Sequence, residues 1–317
     1  MSGAPVTILL ASYNGAAYLP AQLESIAEQT HGNWDLVVSD DGSSDGTPDI
    51  VRAFAAAQPP GRVRLIAGPR RGATRNFLHL LAHVPAGRAA AFCDQDDRWL
   101  PDKLARAMAA IGADPAPAHY SARTLIADHD LTPLTPSRRF ARPLGLRNAL
   151  VQAVMAGNAS VFSAAAVGLL GAAAPAAIAA DVPSHDWWAY QVTAAAGARL
   201  IHDATPCLLY RQHGAAEMGR NDTPRALLRR LGMLAQGDYG RWLDLNHRAL
   251  SAVADLFPAE SNALIARFGA ALDLPGPAAW ARLRQIGVYR QTTAGNLALA
   301  GAALAGQLRR RDAQSHP

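Results

Sequence analysis

Short apolar runs alternate with longer amphipathic segments over the first third of the chain. The apolar runs predict buried strands, and apolar residues spaced three or four positions apart predict helices. Strands that alternate with helices are typical of βαβ units and a mostly parallel, Rossmann-like sheet. The predicted strands cover residues 6–11, 36–39, 63–67 and 89–93, and the predicted helices cover residues 16–30, 47–57, 74–83 and 101–111.

The pattern changes in the second half of the chain. Thr223 followed by Pro224 is typical of a helix start, and helical spacing continues from there. Prolines divide this tail into several helices. The sequence therefore predicts an α/β domain over residues 1–220 and a helical C-terminal extension over residues 221–317. Less regular candidate strands in the middle section are residues 119–125, 159–162, 200–202 and 207–210, and the prolines that divide the tail are Pro258, Pro275 and Pro277.

Composition narrows the class of protein. The chain has 317 residues, of which 50% are hydrophobic and 17% charged, as expected of a globular protein. Its net charge is +5, but the basic residues are scattered and lack interleaved aromatics, which argues against nucleic-acid binding. Cys93 and Cys207 lie far apart in apolar runs, so a reducing compartment fits best. The first residues lack the basic segment of a signal peptide, and we expect a cytoplasmic protein.

Two apolar segments invite comparison with membrane spans. Residues 161–180 are rich in alanine and interrupted by Pro175, and residues 297–306 fall short of the roughly 20 residues that a span requires. We expect neither to cross a membrane. Three arginines follow the second segment at 309–311, so two interpretations stay open. One is peripheral attachment to anionic lipid at the inner face of the cell membrane, and the other is a buried or self-associating helix.

Polar residues gather directly after three of the predicted strands, as SYNG at 12–15, DDGSSDGT at 40–47, and DQDD at 94–97. Because the carboxyl ends of parallel strands meet at one edge of a sheet, we expect these loops to line a ligand crevice. Carboxylates there suit the N–H and hydroxyl groups of a base or a ribose. For the second loop the alternative is a local turn in which Asp45 caps the next helix.

The acidic residues after the fourth strand suggest a cation site. Asp94 and Asp96 can converge on one Mg²⁺ or Mn²⁺, which binds one or two carboxylates and takes phosphate oxygens at other positions. Such a cation also neutralises a diphosphate leaving group. Asp97 is expected to orient its neighbours. The alternative is a solvated acidic loop without a ligand.

Taken in order, the segments ASYNG, VVSDDGSSDGT and FCDQDDRWLPDKL resemble the family 2 glycosyltransferases, which are inverting enzymes of the GT-A fold. The resemblance covers roughly residues 1–215 and implies a nucleotide-diphospho-sugar donor. It places Tyr13 against the base, Asp41 in a hydrogen bond to the base, and Arg75 at the base or the diphosphate. It also implies a metal site at Asp94, Asp96 and His213. The complete set of implied donor-site residues is Ser12, Tyr13, Asn14, Asp41, Arg75, Asp94 and Arg211.

The resemblance also implies a catalytic base at a later helix start. Asp186 in SHDWW matches that position, and His185 replaces the usual glutamate, as in a rhamnosyltransferase-like branch that suggests dTDP-rhamnose as donor. From the residues alone, Asp186 could instead simply favour the positive end of a helix. Acceptor-binding candidates are Asn158, Trp187 and Trp188, with one of the two tryptophans expected in the core.

The leading hypothesis is therefore a metal-dependent inverting glycosyltransferase that acts on a cell-surface glycan or lipid-linked acceptor. A Rossmann-type cofactor enzyme would need Gly-x-Gly-x-x-Gly after the first strand, which is missing. A phospho-receiver domain would be shorter. A non-catalytic nucleotide-sugar-binding protein stays open, because Gly214 and Ala215 after His213 depart from the Arg-Gln-His-x-x-Asn pattern of related enzymes.

Overall fold

The structure is a computed structural model that describes residues 3–212 and 238–310. Strands and helices alternate through its first part as predicted. In chain order these elements are β1 Val6–Ser12, α1 Leu19–Ala27, β2 Trp34–Asp40, α2 Thr47–Ala56, β3 Val63–Ala67, α3 Ala73–Leu81, β4 Ala89–Asp94, β5 Arg98–Trp99, α4 Lys103–Ile111, β6 Ala118–Ala122, β7 Leu125–Ala127, β8 Pro133–Pro136, α5 Leu146–Ala149, β9 Val161–Phe162, α6 Ala164–Ala180, α7 His185–Ala195, β10 Arg199–Asp203 and β11 Leu208–Arg211.

Seven of these strands form one sheet in the order β10-β6-β9-β4-β1-β2-β3. β1 pairs in parallel with β2 and β4, β2 pairs in parallel with β3, and β10 pairs in parallel with β6. The short strand β9 lies between β4 and β6 and is antiparallel to both. The predicted α/β architecture with a mostly parallel sheet is confirmed, and the carboxyl ends of β1, β2 and β4 share one edge.

Helices cover both faces of this sheet, which explains why its central strands are continuous apolar runs. Along β1, Ile8 and Leu10 point to the face covered by α1 and α4, whereas Leu9 points to the face covered by α3, α6 and α7. All three side chains are fully buried. Burial of a leucine or isoleucine side chain contributes about 1.5–3 kcal/mol. Cys93 and Cys207 are likewise buried and unpaired, as expected of small apolar residues.

A second, four-stranded sheet has the order β5-β11-β7-β8. It corrects the prediction of one strand over residues 119–125, since β6 and β7 belong to different sheets. The chain crosses between the sheets at Arg123, whose guanidinium donates to the carbonyl oxygen of Ser137 at 2.8 Å. The strands β5 and β8 of this sheet are not evident from the sequence because they are short.

Within residues 238–310, four further helices follow, as predicted for the C-terminal extension. Pro258 and Pro275 lie directly before two of the helices, and Pro277 lies in a first turn. Side chains of these helices share one hydrophobic core with α3, α6 and α7. The predicted boundary at 220/221 and the Thr223 helix start lie outside the described residues. The helices are α8 Asp238–Ser251, α9 Ala259–Asp273, α10 Gly276–Ile286 and α11 Thr293–Leu304.

The two apolar segments both form helices that pack on the protein. Helix α6 continues through Pro175, and its small side chains pack against α8. On α11, Leu299 and Ala303 are buried, while Leu297 and Leu304 are 69% and 51% exposed. Across residues 3–212 and 238–310, the helices fall short of the combined length and hydrophobicity that crossing a bilayer requires.

Candidate active site

The loops after β1 and β2 are tied together at the edge of the sheet. Asn14 adopts a left-handed backbone (φ 47°), which asparagine tolerates better than most residues. Its side-chain oxygen accepts from the Ser44 N–H at 2.8 Å, and its own N–H donates to Ser43 Oγ at 2.9 Å. Ser12 Oγ donates to Asp40 at 3.3 Å. Tyr13 is 58% exposed at the tip, where its ring is open to a ligand.

Asp45 organises the start of α2, in line with the helix-capping alternative. Its carboxylate accepts from the N–H groups of Thr47 and Ala16, both at 3.0 Å. The Thr47 hydroxyl donates to the same carboxylate at 2.5 Å, and these hydrogen bonds, led by that of the hydroxyl, lower the pKa of Asp45.

Asp41, the predicted base-binding residue, is buried and holds the loop after β3. Its two carboxylate oxygens accept from the N–H groups of Arg70 at 2.6 Å and Gly72 at 2.7 Å. The carboxylate therefore shapes the wall of the crevice through backbone contacts. Any hydrogen bond to a nucleotide base would have to be added to these two.

Arg75 lies on α3 and pairs with Asp181, with 2.8 Å between guanidinium and carboxylate. Asp181 follows α6 and has a left-handed backbone (φ 56°). Since this segment leads into α7, which carries Asp186 in its first turn, the ion pair links α3 to the candidate base. A contact between Arg75 and a donor diphosphate would require this pair to open or to be shared.

The acidic residues after β4 form the predicted cluster. Carboxylate oxygens of Asp94, Asp96 and Asp97 all lie within 4.8 Å of one another, with Asp97 fully buried and the other two partly exposed. Burial, followed by the charges of Asp97 and Asp96, raises the pKa of Asp94 well above its ordinary value. Burial and the charge of Asp96 raise the pKa of Asp97 to about 7. Crowded carboxylates that resist ionisation fit a divalent cation, which would remove their repulsion.

Gln95 joins this cluster to the loop after β1. Its side-chain oxygen accepts from the Tyr13 N–H at 2.9 Å, and its amide nitrogen donates to the Tyr13 carbonyl oxygen at 3.0 Å. These two hydrogen bonds have the same pattern as those between two paired residues in a β-sheet. It fixes the position of Tyr13 relative to the two acidic residues that flank Gln95.

Asp97 faces inward and orients the cluster, as predicted. The Asn158 amide donates to Asp97 Oδ2 at 2.7 Å, and the Arg211 N–H donates to Oδ1 at 3.3 Å. Beneath it, the buried Lys103 donates from Nζ to the Asn158 carbonyl oxygen at 2.5 Å. Burial lowers the pKa of Lys103, while the nearby thiol and carboxyl groups oppose that shift.

Asp186, the predicted catalytic base, lies in the first turn of α7 and is held by three donors. Its Oδ1 accepts from the Ser184 hydroxyl and from the Trp187 N–H at 2.6 Å, and its Oδ2 accepts from the Gly157 N–H at 3.2 Å. The adjacent Asn158 donates to Asp97, so this turn brings Asp186 close to the acidic cluster, and the charge of Asp186 contributes to the raised pKa of Asp94. The residues that join them, Gly157 and Asn158, are consecutive in a 3-10 turn before β9.

Gly157 is needed at this turn for space. A Cβ atom there would lie 2.7 Å from His185 Nε2 and 3.1 Å from Asp186 Cβ. The His185 ring stacks on Phe77 with ring centroids 3.9 Å apart, and burial lowers the pKa of His185 to about 4. His185 is therefore a neutral packing residue behind Asp186.

Four predicted ligand-binding side chains are buried and contact other parts of the protein. Trp187 and Trp188 are 5% and 1% exposed, and Trp187 Nε1 donates to the Ala149 carbonyl oxygen at 2.7 Å. Burial of both rings does not fit an acceptor platform. Arg211 is also buried and donates to the carbonyl oxygens of Asp96 at 2.8 Å and His129 at 2.5 Å, so it supports the acidic loop from behind. Asn158 faces Asp97.

The predicted metal ligand His213 lies outside the described residues. Two residues that contribute to the site, Gln95 and Lys103, are not among those predicted from the sequence. Gln95 gave no signal of its own inside the acidic run. Lys103 did give a signal, because it is the only lysine in the chain.

Comparison with known proteins agrees with this geometry. The sequence model of the family described as "Glycosyl transferase family 2" matches residues 7–164, which contain β1 to β9 and the acidic cluster. The chain belongs to this family and is a glycosyltransferase, a class of enzyme that transfers a sugar from a nucleotide sugar. Asp186 lies beyond the matched residues.

Individual relatives give the same class. The chain is 27% identical over 243 residues to the dTDP-rhamnosyl transferase RfbG of Shigella flexneri, covering 71% of this chain and 78% of that protein. It is 33% identical over 99 residues to the UDP-Glc:alpha-D-GlcNAc-diphosphoundecaprenol beta-1,3-glucosyltransferase WfgD of Escherichia coli, covering 31% of this chain and 38% of that protein.

Solved structures confirm the GT-A fold. The mannosyltransferase PcManGT from Pyrobaculum calidifontis, in complex with GDP-Man and Mn²⁺, superposes with a TM-score of 0.52 at 21% identity, covering 96% of this chain and 86% of that chain. S. aureus TarS 1-349 in complex with UDP gives a TM-score of 0.55 at 13% identity, covering 96% and 89%.

Proposed function

We propose that this protein is an inverting glycosyltransferase that moves rhamnose from dTDP-rhamnose to a hydroxyl group of a cell-surface glycan or lipid-linked acceptor. The observation that carries the proposal is the pairing of an acidic cluster at the end of β4 with a separate carboxylate, Asp186, in the same crevice. The similarity to the rhamnosyl transferase RfbG, over most of both chains, supports the choice of donor.

Asp186 is the general base in this proposal. Its carboxylate accepts the proton of the acceptor hydroxyl while the hydroxyl oxygen attacks the anomeric carbon. The bond from that carbon to the diphosphate breaks on the opposite face, so the configuration inverts. The donors from Gly157 and Ser184 keep the carboxylate aimed during this step.

Asp94 and Asp96 are the residues that would hold a divalent cation, with Asp97 behind them. Their oxygen ligands are those that Mg²⁺ and Mn²⁺ prefer, and the burial and mutual repulsion that raise the pKa values of Asp94 and Asp97 fit a site built for positive charge. When bound, the cation supplies charge that stabilises the leaving diphosphate. The solved structure of PcManGT contains Mn²⁺, which supports the same assignment.

A non-catalytic nucleotide-sugar-binding protein is the second candidate. It is favoured by one observation, that Asp41, Arg75 and Arg211 each make hydrogen bonds to protein groups. Such a protein would bind a donor at the Tyr13 loop without transferring the sugar.

A thermal-shift screen of nucleotide sugars, with and without Mn²⁺, tests both candidates. A ligand at 100 times its dissociation constant stabilises the folded state by about 2.7 kcal/mol, which such a screen resolves. We expect dTDP-rhamnose with Mn²⁺ to give the largest shift, and mass spectrometry to find rhamnose on an added lipid-linked glycan. A shift without transfer or donor hydrolysis would select the non-catalytic candidate. No shift with any nucleotide sugar would count against both.

We also propose that the protein works peripherally at an anionic membrane surface through α11. Residues 274–310 contain five arginines and no acidic residue, and α11 itself carries no charge. Leu297 and Leu304 are its exposed apolar side chains. Flotation with phosphatidylglycerol vesicles should recover the wild-type protein, and the double variant Leu297→Glu with Leu304→Glu should stay unbound. The control is Leu134→Glu, which changes an equally exposed leucine on β8 and should float.

A further inference from the structure

Lys103 is the only lysine among the 30 lysine and arginine residues of the chain. It is also fully buried, as the first residue of α4. Lysine is among the residues most rarely buried, because its charge loses hydration and needs compensation. The other 29 of these residues are arginines, so Lys103 carries the only side-chain ammonium group in the protein.

The surroundings of Lys103 are the underside of the acidic cluster. Its Nζ lies 3.5 Å from the centroid of the Trp99 ring and donates to the Asn158 carbonyl oxygen at 2.5 Å. The carboxyl groups of Asp97 and Asp94 are close enough to interact with its charge. The ammonium therefore contacts an aromatic face and a carbonyl oxygen, while the two carboxyl groups act on it from a longer range.

The carbonyl that Lys103 holds belongs to the turn between the cluster and the base. The Asn158 side chain donates to Asp97, and the N–H of the adjacent Gly157 donates to Asp186. One two-residue turn thus contacts Lys103, the cluster and the base simultaneously. Movement of this turn would change the separation of the cluster and Asp186.

A lysine suits this place better than an arginine. The ammonium is compact and can direct three donors to different acceptors, whereas the guanidinium is planar and larger. The Trp99 ring and the Asn158 carbonyl, both close to Nζ, leave little room for the larger group. The composition agrees, since arginine fills all the other basic positions.

We propose that Lys103 is a positioning residue: its ammonium clamps the Gly157–Asn158 turn beneath the acidic cluster, and so fixes the cluster relative to Asp186. The effect on sugar transfer rests on the proposed function. The proximity of Lys103 to a cation site does not, and it is tested separately.

The single lysine makes a direct spectroscopic test available. Protein labelled with ¹³Cε-lysine, and carrying no lysine in its affinity tag, should give one lysine signal. We expect Mg²⁺ to shift this signal, and one equivalent of paramagnetic Mn²⁺ to broaden it. Asp94→Asn should remove both effects, whereas Asp255→Asn, the same change at an exposed aspartate of the C-terminal helices, should preserve them. If Mg²⁺ did not shift the lysine signal of the wild-type protein and Mn²⁺ did not broaden it, the claim that Lys103 lies near a cation site would be overturned.

Kinetics of two variants test the positioning claim. Lys103→Met should lower kcat for transfer about 100-fold, the size of effect expected from a misplacement of about 1 Å, with donor KM changed less than threefold. Lys103→Arg should not restore kcat, because charge without the right shape cannot hold the turn. Asn158→Ala keeps the charge of Lys103 and removes the hydrogen bond to Asp97. It should therefore also lower kcat with little change in donor KM, and it tests the proposal even if Lys103→Met folds poorly.

The matched control for these variants is Asn246→Ala, which removes a buried asparagine amide from α8, away from the crevice. It should leave kcat unchanged. Variants of Lys103 and Asn158 that lose stability but keep wild-type kcat would reduce both residues to a structural role and overturn the proposal. If the wild-type protein transferred no sugar, the proposed function would fall, and the lysine signal would still decide whether Lys103 lies at a cation site.

Discussion

The two acidic regions of the crevice are built on opposite electrostatic plans. At the end of β4, three carboxyl groups crowd together, and burial and mutual repulsion raise the pKa values of Asp94 and Asp97. At the start of α7, Asp186 stands alone among hydrogen-bond donors from Gly157, Ser184 and Trp187. The first region sets three carboxyl groups above the single ammonium of Lys103 and gains from a further cation, whereas the second already holds an oriented carboxylate.

This difference teaches how one crevice can use aspartate for two tasks. Repulsion within the cluster favours a ligand that brings charge, such as a divalent cation with a diphosphate. Donors around a single carboxylate favour a fixed orientation and leave it able to accept a proton. The Gly157–Asn158 turn keeps the two arrangements apart and in register.

The sharpest test of the comparison is Asp186→Asn. Removing a general base lowers the rate by about 100- to 10,000-fold, so we expect transfer to fall at least 100-fold with donor binding unchanged. A small loss of thermal stability is also expected, because an amide NH₂ would face the Gly157 N–H. Transfer assays and donor titrations on the same preparation check both. Near-normal turnover would remove Asp186 as the base.

Asp94→Asn should act on the other half of the comparison. It removes a carboxylate from the cluster, so stabilisation by Mn²⁺ should disappear while the metal-free protein becomes no less stable. For a cation at 100 to 1,000 times its dissociation constant the lost stabilisation is about 2.7–4.1 kcal/mol. Thermal unfolding with and without Mn²⁺ measures it, and Asp186→Asn serves as the control that should keep the shift. Equal loss in both variants would contradict the division of roles.

The raised pKa of Asp97 predicts how stability changes with pH in the absence of metal. The folded pKa of about 7 exceeds that of the unfolded chain, near 3.9, so the folded state binds more protons between these values. The contribution of Asp97 to stability should therefore fall as pH rises from about 4 to about 7, and then level off.

Denaturant unfolding in EDTA, compared with Asp97→Asn at each pH, isolates this contribution from that of buried histidines. The variant should gain stability relative to the wild type as pH rises, and saturating Mg²⁺ should shrink the difference. A difference that does not change with pH would mean that the cluster is less crowded than its geometry indicates.

The smallest expected effect is that of Gln95→Ala. Loss of its two hydrogen bonds to Tyr13 should loosen the loop after β1 and raise the donor KM a few-fold, since a neutral hydrogen bond contributes about 0.5–1.5 kcal/mol. Both kcat at saturating donor and Mn²⁺ affinity should stay close to wild type. Steady-state kinetics over a range of donor concentrations separates these quantities, and a fall in kcat alone would place Gln95 with the catalytic residues instead.

Much of the fold follows from local pattern. Apolar runs predicted the positions of β1 to β4, and the polar residues after them predicted the edge where the site forms. Both predictions are possible because the spacing of apolar residues in a short segment indicates its secondary structure and its buried side. The acidic cluster was predictable for the same reason, since Asp94, Asp96 and Asp97 lie within one loop.

The remainder depends on contacts between distant segments. Whether Asp41 faces a ligand is decided by the N–H groups of Arg70 and Gly72, about thirty residues away. One of the two tryptophans was expected in the core, but both are buried, because α7 is enclosed from Trp187 onward by elements that precede and follow it, and nothing in WW itself reveals this. The link from Asn158 to Asp97 likewise exists only once β9 enters the sheet.

The two-residue strand β9 also sets the order in which the sheet can be completed during synthesis. Strands β1 to β4 can pair using residues up to Asp94, but β6 and β10 join them only through Val161 and Phe162. A nascent chain that stops short of Phe162 leaves one edge of β4 unpaired, and such edges promote aggregation. Truncation before Phe162 is therefore a poor route to a minimal enzyme. During synthesis, the ribosome must also release a long segment of chain before β9 can pair with β4 and complete the sheet.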